Sequence, residues 1–247
     1  KLIKKLFQES KNKPIFTFLQ FSKIHTVTVS EILKKYEWND EEFYKNKEKN
    51  LENYDLVFSD AVKYAKKIYS TIKSLGKLNE TIIIFFADHG TGVGERFGER
   101  NYGVYTFEET IKTFYLFIGP KIRKNVECDK LLSSIDMYPT ILDLGKISHK
   151  RQTKNISNYI FKNEENVKEN YVFTETGGLQ GPHPSPKKPN VFCIKSKNFK
   201  LIYFSSTNEW SLFNLITDTD EENNIYDSGL KIEKELKEKL LEWINRK

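Results

Sequence analysis

The strongest chemical signal in the sequence is the pair Asp88-His89, which directly follows the apolar segment TIIIFFA at 81–87. A carboxylate and an imidazole are metal ligands of complementary hardness, and Gly90 after them permits a close backbone approach. The same residues are equally consistent with a turn that Asp88 caps, followed by an ordinary loop histidine. Spacing alone leaves both interpretations open.

A second histidine, His25, follows another apolar run, PIFTFLQF at 14–21, after a few polar residues. The β-branched and aromatic residues of this run predict a buried strand. A lone loop histidine is more often structural than functional. Ligand sites of open α/β sheets lie at the carboxyl ends of strands. If both apolar runs are strands of one sheet, His25, Asp88 and His89 converge on one edge, which favours a site.

The segment GTGVGERFGERNYGVY at 90–105 is rich in glycine and contains Arg96 and Arg100, two candidate contacts for an anionic substrate. It is not a P-loop, because no Gly-Lys-Ser/Thr follows. The alternative is that both arginines are exposed and pair with Glu95 and Glu99.

Two more candidates lie late in the chain: Glu175 in TETGG and His183 in GPHPSP. Both could line the rim of a pocket, although such loops also serve only to connect strands. We expect Cys128 and Cys193 to be buried small apolar residues. No Ser-His-Asp order, nucleophile elbow, HExxH or CxxC motif appears, so the chain has candidate ligands and no evident nucleophile.

The elements that position these residues alternate along the first part of the chain. The unbroken apolar run 81–87 predicts a strand buried on both faces, as in a parallel sheet. Apolar spacing over 54–75 predicts an amphipathic helix that ends at Gly76. A further helix is predicted over 129–145, kinked or restarted at Pro139.

After residue 150 the apolar segments become shorter and are separated by polar turns. Short strand-like runs separated by turns predict an antiparallel meander over 191–196, 199–205 and 210–215. Residues 230–246 predict a terminal helix packed by one face. We therefore predict an α/β fold: a three-layer sandwich around a mostly parallel sheet in residues 1–150, and a small antiparallel subdomain with a terminal helix in 151–247.

Composition excludes several classes of protein. The 247 residues include 40 Lys+Arg and 34 Asp+Glu, a net charge of +6, but the basic residues are spread evenly, which argues against a nucleic-acid partner. The 18 Phe and 13 Tyr exclude a mainly disordered chain. No run of about 18 apolar residues exists, so we expect no membrane span. The compartment stays unknown.

Several motifs, in order, resemble the latter half of the sulfatase family, which belongs to the alkaline-phosphatase-like superfamily. They are TIIIFFADHG, the following GxGE loop, FEETIK before a strand ending IGP, and SSIDMYPTILDL. The tail KNFKLIYFSSTNEWSLFNLITDTDEENNI resembles the C-terminal signature of the family, and FTFLQFSKIH resembles the strand that delivers an active-site histidine. The resemblance spans nearly all of residues 14–245.

The resemblance implies a metal-dependent hydrolase of a small-molecule or glycan sulfate ester. Asp88 and His89 would bind a divalent metal, usually calcium in this family, with Mn or Zn as alternatives. His25 would contact the sulfuryl group or assist the leaving group. Related phosphodiesterases or phosphotransferases of the superfamily are the alternative chemistry, and a degenerate, non-catalytic binding module is the alternative to an enzyme.

The chain also departs from the family pattern. Tyr102 stands where relatives usually carry Lys or His, so Tyr102 and Arg100 are candidate catalytic substitutes, and Arg96 and His183 are candidate substrate contacts. The nucleophile motif Cys/Ser-x-Pro-x-Arg and the acidic pair that completes the metal site are not found in 1–247. We therefore expect a C-terminal portion that needs the N-terminal half of its own chain and is inactive alone.

Overall fold

The computed structural model describes residues 1–10, 13–27, 40–99, 101–128, 130–150, 156–157, 160, 171–177 and 189–246. Its helices are α1 (Leu2–Glu9), α2 (Lys23–Val27), α3 (Asp40–Lys45), α4 (Lys47–Ser74), α5 (Glu108–Ile111), α6 (Met137–Leu144) and α7 (Lys231–Asn245). Its strands are β1 (Ile83–Phe86), β2 (Tyr115–Ile118), β3 (Val172–Thr176), β4 (Val191–Lys195), β5 (Phe199–Phe204) and β6 (Glu209–Asn214). None of the described helices combines the length and the apolar character that crossing a membrane requires.

The first compact unit comprises Lys1–Ala87, Thr91–Asn101 and Phe114–Ile122. Its long helix α4 confirms the predicted helix over 54–75 and begins earlier, at Lys47. Just beyond its C-terminus, Gly76 has a φ of +69°, a left-handed conformation that glycine adopts without strain.

The strand predicted over 81–87 forms as β1, and it pairs antiparallel with β2, Ile83 lying opposite Ile118. Every pairing among the described strands is antiparallel, so the parallel sheet that the apolar run predicted is not observed in this part of the chain. Burial also differs from the expectation, because Ile83 is buried whereas Phe86 at the other end of β1 is exposed.

The prediction of a buried strand over 14–21 was wrong for the described structure. This segment carries no strand pairing, and the side chains of Phe16 and Phe18 are 79% and 64% exposed. An apolar, β-prone sequence becomes a strand only where a neighbouring backbone pairs with it. Here β1 pairs with β2 instead, and the Phe18 ring lies 6.3 Å from that of Phe86.

The second compact unit comprises Asp88–Gly90, Tyr102–Thr113 and Arg123–Lys247. Its four strands form one antiparallel sheet in the order β3-β4-β5-β6, which confirms the meander and adds β3. Side chains alternate between the two faces of this sheet. One face packs against Phe107 and Ile111 at α5, and the other packs against Leu236 and Leu240 of α7, the predicted terminal helix.

The helix predicted over 129–145 is shorter than expected. A 3-10 turn over Ser134–Asp136 precedes α6, and a reciprocal capping box between Ser133 and Asp136 fixes where the helical segment begins. Pro139 lies in the first turn of α6, where a residue without a backbone N–H is tolerated. Ile135, in the 3-10 turn, is exposed.

The two cysteines differ from each other. Cys193 lies buried on β4, as expected, and burial raises the pKa of its thiol to about 12, so it is not a nucleophile. Cys128 is exposed, which corrects the expectation that it is buried.

Candidate active site

Asp88 and His89 follow β1 after a single residue and lie in the second compact unit. The backbone N–H of His89 donates to Oδ1 of Asp88 at 3.1 Å, within a bend of the backbone at these two residues. The Asp88 carboxylate is nevertheless 81% exposed and remains accessible to a ligand. A structural role and a metal-binding role of Asp88, which the sequence left as alternatives, are therefore compatible in one geometry.

The imidazole of His89 is oriented by its neighbour. Its Nδ1 lies 2.7 Å from the carbonyl oxygen of Gly90, which can only accept a hydrogen bond. In the neutral ring Nδ1 therefore carries the proton, and Nε2 keeps its lone pair. Histidine ligands of metals typically have their second nitrogen bound in this way to a carbonyl or carboxylate.

These two side chains could supply two of the ligands of a single cation. Nε2 of His89 lies 3.9 Å from Oδ1 of Asp88. One ion with metal–ligand bonds of about 2.0–2.5 Å can span that separation. Two ligands are fewer than a stable site needs. Among the described residues, no cluster of three or more His, Cys, Asp or Glu side chains is positioned to hold a metal.

Tyr102 lies against the same imidazole, with ring centroids 3.9 Å apart. The next residue, Gly103, is hydrogen-bonded to the four-stranded sheet: its carbonyl oxygen accepts from the hydroxyl of Thr176 on β3 at 2.7 Å. The half-exposed phenol therefore borders the Asp88-His89 pair.

The turn that holds these residues rests on α5. The N–H of Gly90 donates to the carbonyl oxygen of Thr110 at 2.8 Å. A Cβ on Gly90 would lie 2.2 Å from the carbonyl oxygen of Glu109, so only glycine fits this contact.

A buried cluster of charges beside α5 was not predicted from the sequence. Nζ of Lys200 on β5 lies 2.8 Å from Oε1 of Glu221 and 3.2 Å from Oε1 of Glu108, and Nζ of Lys195 lies 2.6 Å from Oε2 of Glu108. The alternation of side chains along β5 could have revealed it, because Lys200 shares a face with buried Ile202 and therefore points inward.

Lys200 and Glu108 stabilise each other as charged groups, whereas burial raises the pKa of Glu221 above its ordinary value and outweighs the attraction of Lys200. Burial by itself would lower the pKa of Lys200, but Cys193, Glu221 and Glu108 raise it above its ordinary value. Burial likewise opposes ionisation of Glu108, but the ammonium groups of Lys200 and Lys195 lower its pKa overall. Lys200 is thus an ammonium and Glu108 a carboxylate at neutral pH.

The other candidates fall elsewhere. His25 is exposed on α2, and Arg96 is half-buried, both in the first compact unit. Arg100 and His183 lie outside the described residues. The structure thus brings together Asp88, His89 and Tyr102.

Comparison with known families gives two matches that together run from residue 1 to residue 246. The sulfatase family model matches residues 1–147, and the model described as N-sulphoglucosamine sulphohydrolase, C-terminal, matches residues 100–246.

Individual relatives agree with these matches. Arylsulfatase K of Bos taurus is 27% identical over 192 residues, 72% of this chain and 34% of that protein. The structure of a 2-O GAG sulfatase matches with a TM-score of 0.67 at 20% identity, over 95% of this chain and 54% of that one. A phosphonate monoester hydrolase from Silicibacter pomeroyi matches with a TM-score of 0.65 at 18% identity, over 78% and 41%. The chain thus shares their α/β fold and spans about a third of the length of the curated relative.

Proposed function

The chain belongs to the sulfatase family, and we propose that it forms part of a metal-dependent hydrolase of sulfate esters. The observation that carries the proposal is the pairing of the Asp88 carboxylate with an imidazole whose Nε2 lone pair is available. A divalent cation held there would act as a Lewis acid on a sulfuryl oxygen.

Within this proposal each side chain has a defined task. Asp88 supplies an oxygen ligand, which calcium prefers, and His89 supplies a nitrogen ligand, which Mn or Zn binds more readily. Tyr102 borders His89 and can donate its phenolic proton to a leaving-group oxygen. By family analogy, His25 would contact the sulfuryl group or assist the leaving group. Arg96 and His183 are proposed as substrate contacts and Arg100 as a catalytic substitute, because cationic side chains neutralise the negative charge of the transition state.

We also propose that further polypeptide completes the site. The described residues supply two ligands at the Asp88-His89 turn, and the chain spans 34% of arylsulfatase K. In the first unit, Phe16 and Phe18 are exposed, as is Phe86 on β1, whose ring lies 6.3 Å from that of Phe18. An exposed apolar surface of this kind is typical of an interface. A segment that adds parallel strands there would bury it and bring the nucleophile and the acidic pair.

In that complete fold, residues 1–150 would belong to the three-layer α/β core, and 151–247 would form the C-terminal subdomain. The proposed substrate is a sulfate ester of a small molecule or glycan, which is supported by the likeness to a structure described as a 2-O GAG sulfatase. A phosphonate or phosphodiester hydrolase is the second candidate, which the phosphonate monoester hydrolase with the same fold favours.

Paramagnetic broadening by Mn²⁺ tests the metal site on the chain of 247 residues. As MnCl₂ is added, the imidazole signal of His89 should broaden before those of the other three histidines. Asp88→Asn should require about tenfold or more Mn²⁺ for the same broadening, because one ligand is lost. The matched control is Asp55→Asn, which neutralises an exposed aspartate on α4 and should behave as wild type. Broadening of His89 that is independent of Asp88 would refute the proposal.

A further inference from the structure

The buried cluster formed by Lys200, Glu221 and Glu108 connects three separate segments of the second unit. Lys200 comes from β5, Glu108 begins α5, and Glu221 lies in the loop after β6. Oε1 of Glu221 forms an ion pair with Nζ of Lys200 at 2.8 Å, and its Oε2 accepts a hydrogen bond from the backbone N–H of Glu108 at 2.7 Å. The cluster therefore fixes both a side chain and the backbone at the start of α5.

The same short helix carries the turn with the candidate metal ligands. Gly90 packs directly on the backbone of Glu109 and donates to Thr110, so a displacement of α5 displaces Gly90. Gly90 in turn provides the carbonyl that orients the imidazole of His89. A continuous chain of contacts thus leads from Lys200 through α5 to His89.

A cluster of this kind is better suited to fixing position than to adding stability. Transferring three charged groups out of water offsets much of their mutual attraction, and apolar residues of similar volume are often as stabilising. Hydrogen bonds with defined directions, in contrast, hold α5 at one position on the sheet, where apolar contacts alone tolerate sliding. Both side chains that meet here, Lys200 and Glu221, are completely buried.

We propose that Lys200 and Glu221 are positioning residues, which hold α5 in place so that the His89 imidazole stays against Tyr102 beside Asp88. The inference rests on the proposed function only for the metal-binding role of His89. The placement of the ring is a property of the second unit by itself.

The test compares ring placement in folded variants of the whole chain. Glu221→Gln keeps the shape of the side chain. Lys200→Met combined with Glu221→Gln removes both members of the Lys200–Glu221 ion pair, and Glu108 keeps its ion pair with Lys195. The control is Lys237→Met, because Lys237 lies on α7, packs over Trp210 at 4.7 Å and belongs to the opposite face of the sheet. Circular dichroism and thermal unfolding establish that each variant is folded.

The readout is the nuclear Overhauser effect between the imidazole of His89 and the ring of Tyr102, assigned with His89→Gln. We expect it to fall by about half or more in the variants at Lys200 and Glu221, with faster exchange of the Gly90 amide, and to be retained in Lys237→Met. Folded variants with the wild-type effect would overturn the inference. If the double variant does not fold, Glu221→Gln decides the result by the same criterion.

The two proposals fail separately. Loss of the ring contact in the variants together with Mn²⁺ binding that ignores Asp88 would uphold the positioning role and refute the metal site. An unchanged ring contact with Asp88-dependent Mn²⁺ binding would do the reverse.

Discussion

Substitution of Gly90 by alanine tests whether the candidate site rests on α5 as described. The new Cβ would lie 2.2 Å from the carbonyl oxygen of Glu109, whereas non-bonded Cβ contacts essentially never fall below 3.0 Å. The backbones must separate by about 1 Å, which costs about 1–3 kcal/mol in strain. That shift also lengthens the 2.8 Å hydrogen bond to Thr110, which contributes about 1 kcal/mol. We expect Gly90→Ala to lower the free energy of unfolding by about 2–4 kcal/mol.

Gly145→Ala is the matched control, because an added Cβ there meets its nearest atom, the carbonyl oxygen of Ile141, at 3.4 Å. Its φ of −80° is also ordinary for alanine. This variant should stay within about 0.5 kcal/mol of wild type. Urea unfolding followed by circular dichroism measures both variants. Equal stability of the two would refute the close contact between the turn and α5.

Three further predictions concern the core, pH and activity. Leu240→Ala removes a fully buried side chain and should cost about 2–5 kcal/mol, whereas Leu241→Ala, at a partly exposed neighbour, should cost far less in the same urea experiment. Because Lys200 and Lys195 hold the pKa of Glu108 below its ordinary value of 4.5, the stabilisation from this carboxylate is present above that pH and is lost as the pH falls through the lowered pKa. Unfolding titrations between about pH 6 and pH 3 should therefore show a smaller loss of stability in Glu108→Gln than in wild type, and parallel curves would contradict the charge cluster. Residues 1–247 alone should not hydrolyse 4-nitrophenyl sulfate, and reproducible metal-dependent turnover by this polypeptide would contradict that expectation.

Helices and strands whose apolar residues recur at regular spacing were predictable from the sequence. The meander and α7 were predicted within a few residues, because alternation and three- or four-residue spacing report which face of each element is buried. The segment around Phe16 was not, since an apolar run does not reveal which backbone pairs with it. The antiparallel pairing of β1 was also missed, because an unbroken apolar run predicts that a strand is buried but does not indicate the direction of the strand beside it.

The candidate site was predictable only where its residues are adjacent in sequence. Asp88 and His89 were identifiable as a pair, but the contact of His89 with Tyr102 depends on how the intervening loop returns. Lys200 was missed because a lysine on a strand is usually solvated. Its partner Glu221 lies 113 residues from the α5 backbone that it binds, a separation that no local pattern encodes.

Catalysis by the complete gene product provides the sharpest test of whether Asp88 is a metal ligand in a sulfate-ester hydrolase. Hydrolysis of 4-nitrophenyl sulfate would be measured with saturating Ca²⁺ or Mn²⁺ for the polypeptide translated from the whole gene that encodes residues 1–247, and for its Asp88→Asn variant. We predict metal-dependent turnover whose kcat/KM falls about 100-fold or more in the variant. Turnover that is unchanged by Asp88→Asn, or hydrolysis of an aryl phosphonate with none of the sulfate ester, would contradict the account.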